Sequence, residues 1–332
     1  MSSLTRLSNL TSLFFPPESP CFRLQRLLLS NVLSIPPDDL GEQFPVLREL
    51  CIFGLEKLSL DRVGIVTLPA SILCLAALES LSITRSRLKS IPEGIGELTN
   101  LRTLVLSWCE QLQRLPEGTG RLGDLRELTL SCCSKLTALP ASITQLTRLN
   151  TLKAPMCIKL ASAPRALENL SCLRELDLTG CVRLKKTLES LPRSLETLSL
   201  GNDTKSITLP DLSMAPNLKK LNLIRATIMN APTASRCLSH IQHLELRLGT
   251  EQIEPPLLLG FLSRLRSLRL SNAVSLQHLP HDIGTALPQL RQLHVEGAES
   301  LTEIPESVTR LVQLTSLHIK APRLILIMIG RP

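Results

Sequence analysis

The chain has 332 residues, 43% apolar and 20% charged, which is too much apolar mass for disorder throughout and enough to bury a large core. Aromatics make up only 2%, with no Tyr, one Trp and six Phe, so aliphatics must do the packing in many small, similar layers. The formal net charge of +8 favours acidic partners weakly and says nothing about fold.

The N-terminal stretch MSSLTRLSNLTSLFFPPESP lacks a basic region followed by a clean apolar run, so it is a poor secretory signal. No segment approaches the roughly 20 apolar residues that cross a bilayer, and no membrane association is expected. Residues 1–23 read as a partial repeat or cap, with Leu4, Leu7, Leu10 and Leu13 followed by Phe14 and Phe15 as an apolar lid. From Leu24 onward the pattern L-x-x-L-x-L recurs. Its first positions are Leu24, Leu47, Leu78, Leu101, Leu125, Leu149, Leu173, Leu195, Leu218, Ile241, Leu265, Leu290 and Leu314. The steps run from 22 to 25 residues except for one of 31, between Leu47 and Leu78. Within that step a second frame, Leu55, Leu58 and Leu60, competes with Leu47, Leu50 and Ile52.

Prolines keep time with the leucines, as at Pro92, Pro116, Pro140, Pro164, Pro210, Pro232, Pro255, Pro280 and Pro305, and Pro69 fits the Leu55 frame. Proline cannot donate to a ladder, so it is expected where the chain leaves the strand and turns. The segment after it, PASITQLTRL in one unit, spaces Ile143, Leu146 and Leu149 as a helix does. Each unit therefore reads as a short strand, a turn and a helical or 3-10 return. About 13 such units fill residues 24–319, and residues 320–332, APRLILIMIGRP at their core, form an irregular edge open to pairing with another chain.

The repeat resembles a leucine-rich repeat over about nine-tenths of the chain. The unit LRTLVLSWCEQLQRLPEGTGRLGDL, Leu101 to Leu125, is similar to a narrower subclass found in plant intracellular immune receptors and in type III effectors of plant-pathogenic bacteria. The resemblance implies an α/β leucine-rich-repeat solenoid with a parallel concave sheet and short helical or 3-10 convex segments. Stacking supplies the core that a single unit cannot bury alone, with Leu at positions 1, 4 and 6 pointing inward.

Four of the ten cysteines, Cys109, Cys133, Cys157 and Cys181, recur every 24 residues at position 9. They look like the family's structural ladder, in which a small polar side chain satisfies turn backbone after the strand. Disulfides are disfavoured because equivalent side chains on parallel rungs point the same way, and reduced thiols fit an intracellular compartment. The pairs His240/His243 and His278/His281 suggest zinc only on paper, since the register separates them; no metal or cofactor is expected. No G-x-x-x-x-G-K, G-x-S-x-G, H-E-x-x-H or C-x-D motif occurs, so no catalytic chemistry is expected. Of the N-x-S/T triplets at Asn9, Asn169 and Asn202, the second adjoins Leu170, a residue expected to be buried.

Positions 3 and 5 project from the concave face: Thr103 and Val105, Glu127 and Thr129, Thr151 and Lys153, Glu175 and Asp177, Thr197 and Ser199, Lys220 and Asn222, His243 and Glu245. Their signs are mixed and rings are lacking, which argues against nucleic acid. Position 2 is basic at Arg48, Arg102, Arg126, Arg174, Lys219, Arg266 and Arg291, against Glu79 and Glu196. This edge reads either as an attractor for an acidic partner or as a solvated flank neutralised by Glu127 and Glu175. Trp108, at position 8 on the rim, is the best single anchor, with Arg85, Met156 and Arg225 at equivalent positions. The expected function is a non-catalytic, monomeric, intracellular module that binds a protein on its concave face, as an effector delivered into a host cell or in a comparable immune or signalling context. The alternatives are a substrate-targeting subunit or fragment of a ubiquitin-ligase effector, or the truncated sensor domain of an immune receptor.

Overall fold

A computed structural model of the protein describes residues 6–8, 26–30, 49–53, 57–61, 66–68, 70–184, 188–204, 207–208, 210–227, 238–248 and 260–324. The chain divides into two compact units, Met1–Pro192 and Arg193–Pro332.

The first unit carries two parallel sheets. Strands β1 (Arg6–Ser8), β2 (Arg26–Ser30) and β3 (Glu49–Phe53) pair in chain order. Strands β4 (Lys57–Asp61), β5 (Ser80–Thr84), β6 (Thr103–Val105), β7 (Glu127–Thr129), β8 (Thr151–Lys153) and β9 (Glu175–Asp177) follow in the same manner. The irregular 31-residue step thus holds two strands. The Leu47 frame supplies β3, which pairs with β2, and the Leu55 frame supplies β4, where Leu58 faces Leu81 of β5. Both competing frames are used, one ending a sheet and the other beginning the next.

Strand identity follows from period-two burial. Leu81, Leu104, Leu128, Leu152 and Leu176, all at position 4, lie opposite one another and are fully buried, while positions 3 and 5 on either side are only half-buried. Each buried Leu is worth about 1.5–3 kcal/mol. The core is wider than positions 1, 4 and 6. Leu112, Leu115 and Leu122 of one unit, and Leu136, Leu139 and Leu146 of the next, are buried as well.

The return segments are 3-10 helices: Ala70–Cys74, Glu93–Glu97, Glu117–Arg121, Ala141–Gln145 and Leu167–Asn169. Pro92, Pro116 and Pro140 each stand one residue before such a segment, well past the strand they were expected to end. There the missing N–H costs nothing, because the first turn of a helix has no internal acceptor for it. Neighbouring returns approach so closely that glycine is required. A Cβ on Gly118 would run into the Glu93 carbonyl oxygen, and one on Gly96 would run into that of Gly118.

The second unit repeats the plan. Strands β10 (Thr197–Gly201), β12 (Lys220–Ile224), β14 (His243–Arg247), β15 (Ser267–Ser271), β16 (Gln292–Val295) and β17 (Ser316–Ile319) form one parallel sheet, and β11 (Ile207–Thr208) pairs with β13 (Ala226–Thr227). Its returns are 3-10 at Leu212–Met214 and Glu306–Arg310 and a single α-turn at Ile283–Ala286. Phe14, Phe15, Pro69, Pro232, Pro255 and the residues after Leu324 lie outside the described residues.

Candidate functional site

The open face of each sheet is built by the register. In the first unit Thr103, Glu127, Thr151 and Glu175 form one column, and Val105, Thr129, Lys153 and Asp177 form the next. Lys153 Nζ bonds Glu175 Oε1 at 2.9 Å across the two columns. Thr129 donates to Glu127 at 3.2 Å, and Thr179 donates to Asp177 at 2.7 Å. Across these four rungs Glu127, Glu175 and Asp177 outweigh Lys153, so this part of the face carries a net negative charge.

The rim is set by position 8. Arg85, Trp108, Cys132 and Met156 all adopt positive φ between 50° and 60°, and Gly180 follows at 75°. The backbone there is hydrogen-bonded to the next rung. The N–H of Trp108 points at the Ser131 carbonyl of the next rung, at 2.7 Å, and those of Cys132 and Met156 point likewise at Pro155 and Thr179. The left-handed conformation disfavours any residue with a Cβ. It also turns the side chain outward, so that Trp108 is 51% and Met156 53% exposed, with Cys132 half-buried between them. Arg225 occupies the same position in the second unit, at φ 47°. The left-handed backbone at Trp108 went unforeseen in the sequence; Gly180, Asn272 and Gly297 at the same position were the signal for it.

Behind this rim the thiols line up. Cys109, Cys133, Cys157 and Cys181 are buried and free. Each donates to the position-6 carbonyl of the preceding rung: Ile83 at 3.4 Å, Leu106 at 2.8 Å, Leu130 at 3.0 Å and Ala154 at 3.2 Å. Ser86, bonded to Cys109 Sγ at 3.3 Å, occupies the same position one rung earlier. Burial, and secondarily the neighbouring Cys157, push the Cys181 thiol up to about 12, and burial raises Cys109 as well. Such groups stay protonated and are poor nucleophiles.

On the second unit's open face, Lys220 faces His243 and Asn222 faces Glu245. The register continues through Arg269, His294 and His318, which belong to the same column as Glu245 and are absent from the sequence expectation. Counting position 5 onward from Leu265, Leu290 and Leu314 would have found them. The rings of His294 and His318 lie 5.8 Å apart. Lys220, Asn222, His243, Glu245, Arg269 and His294 surround a depression of about 280 Å³.

The basic edge is paired differently from the expectation. Arg102 bonds Glu79 at 3.2 Å and Lys219 bonds Glu196 at 3.0 Å, so the two acidic exceptions at position 2 each neutralise the cation of the next rung. Glu175, expected to offset Arg174, is held by Lys153 instead. Arg126 is exposed, and Arg266 and Arg291 have no acidic partner among the described residues. His278 pairs with Glu303 at 3.5 Å. Among the described residues no three His, Cys, Asp or Glu side chains converge as metal ligands, and no helix is long and apolar enough to cross a membrane.

Parallel rungs, 3-10 returns and a thiol ladder beneath a polar sheet face define a repeat solenoid. A family model described as a leucine-rich repeat region matches residues 3–274, and the chain belongs to the leucine-rich repeat family. Among solved structures it is similar to a leucine-rich repeat protein of Leptospira interrogans, at 24% identity and a TM-score of 0.50, over 92% of this chain and 80% of that one. It is also similar to the leucine-rich repeat domain of the type III effector XopL, at 23% identity and a TM-score of 0.42, over 82% of this chain and 78% of that one. No curated protein matches.

Proposed function

We propose that the protein is a non-catalytic interaction module that holds a protein partner on the open, concave faces of its sheets. The observation that carries this reading is the register itself. Side chains at positions 3 and 5, polar but for Val105, stand in columns over a largely aliphatic core, beside a rim on which Trp108 and Met156 are exposed. Trp is enriched where binding energy concentrates. The free, stacked thiols support residence in a reducing compartment. The effector or immune setting rests on the sequence likeness of the Leu101–Leu125 unit alone. Recovery of partners from a plausible host extract, by the native chain and by a Glu127→Lys, Lys153→Glu, Asp177→Lys variant, tests the reading. Loss of specific partners by the variant, and weaker recovery by Trp108→Ala at an unchanged thermal midpoint, are expected. Equal recovery of every partner by native and variant chains contradicts it.

A further inference from the structure

We infer that the open face of the second unit docks an acidic segment of the partner, an extended stretch of peptide that presents Asp or Glu side chains. This rests on the protein-binding reading above and names the chemistry the partner brings to one part of it.

Over β6 to β9 the first unit's face differs in sign from the second's. There Glu127, Glu175 and Asp177 outweigh Lys153, which Glu175 already holds. On the second unit's face Lys220 and Arg269 outweigh Glu245, and His243, His294 and His318 add positive charge when protonated. Arg266 and Arg291 extend the same sign along the edge. Glu296 sits at the rim, where Arg269 Nη2 bonds it at 3.4 Å. A carboxylate in the depression of about 280 Å³ meets Lys220, Arg269 and two imidazoles, with only Glu245 opposing it from the lining.

The lining also asks for donors, which a bare anion lacks. Asn222 Nδ2 donates to Ser199 Oγ at 2.9 Å and its Oδ1 is shielded from solvent, so the acceptor open to a ligand lies on the neighbouring strand. Beside it Glu245 can only accept. A peptide backbone brings N–H groups as well as acidic side chains, so a peptide meets Glu245 better than inorganic phosphate does.

Docking is coupled to protons. Burial first, then Lys220 on the preceding strand and Arg266 at the edge of the following one, lower the pKa of His243 below its ordinary value. Glu245 is the acidic group on its own strand. His294 faces Arg269 on one side, His318 and Ser316 on the other, and has Glu296 two residues on, just past the end of its strand. A docked carboxylate offsets the cations and favours imidazolium, so affinity rises as pH falls from about 7.5 to about 6.

Selection of a random displayed peptide library on the full chain tests the inference. Enriched peptides are expected to be rich in Asp and Glu, to bind more tightly at about pH 6, and to weaken with added salt. A Lys220→Glu, Arg269→Glu variant with an unchanged thermal midpoint should lose at least about tenfold in affinity for them, near 1.4 kcal/mol, and Gln145→Glu, exposed on a 3-10 return away from the open faces, should lose little. Enrichment without acidic bias overturns the inference, as does acidic peptide that binds the variant equally, or displacement of it by inorganic phosphate as effectively as by its own carboxylates. If neutral peptides are enriched and face substitutions abolish their binding, only the acidic assignment fails. If no peptide responds to substitutions on either unit's face, the protein-binding reading fails with it.

Discussion

Thr119 is fully buried in its 3-10 return, and its Oγ1 has no hydrogen-bond partner. The corresponding residues of the flanking units are Ile95 and Ile143, both fully buried and satisfied by packing alone. A buried hydroxyl without a partner costs roughly 1–3 kcal/mol. Thr119→Val therefore stabilises the chain by about 1 kcal/mol, read as a higher urea midpoint at unchanged slope; an equal or lower midpoint contradicts the argument. Trp108 is strained in the other sense, by backbone rather than polarity. Its φ of 59° is left-handed, so among variants lacking the indole, glycine is the better tolerated. Trp108→Gly is expected to be more stable than Trp108→Ala by about 1 kcal/mol, and equal stabilities would show that the rim imposes no such demand.

At the scale of the element, the returns are packed against one another through missing side chains. Gly118→Ala drives a methyl into the Glu93 carbonyl and should cost about 1–3 kcal/mol, whereas Gly123, with nothing within 4 Å of where a methyl would sit, should accept Ala almost freely. Comparable thermal midpoints for the two variants would contradict the close approach. The thiol ladder makes a pH prediction. Folding raises the Cys181 thiol from 9.0 to about 12, so the stability linked to it is complete below about pH 9 and falls away as pH climbs toward 12. Over that window the native chain should lose stability more steeply than Cys181→Ala, by up to about 1.4 kcal/mol per pH unit, in urea titrations at matched pH. Parallel slopes would contradict a protonated, buried thiol.

The strands and the ladder were legible in the sequence because both rest on strict periodicity, two residues within a strand and 24 between the cysteines. The pairing of Arg102 with Glu79 was not, because the sequence shows that both occupy position 2 but not which neighbour a long side chain reaches across the rungs. Nor was the left-handed rim. Trp108, Met156 and Arg85 give no local sign of a positive φ, and Gly180, Asn272 and Gly297 at the same position betray it. The 31-residue step stayed ambiguous because both frames satisfy the same apolar alternation, and only strand partners separate them.

For the whole molecule, the two units share one repeat and differ in what they show to solvent. The first is acidic on its open face from β6 to β9, with an apolar rim at Trp108 and Met156. The second gathers Lys220, Arg269 and imidazoles around a shallow depression. An aliphatic core with almost no rings makes every rung interchangeable in its interior, so individuality resides in positions 3, 5 and 8. That division explains why the fold could be read from leucines while the partner could not, because the face residues obey no periodic rule. The most direct test of the account is site-specific photo-crosslinking in host extract. A crosslinker in place of Thr129, on the open face of β7, should capture the partner, and one in place of Gln145, exposed on the 3-10 return, should not. Capture from Gln145 and none from Thr129 would contradict the central claim.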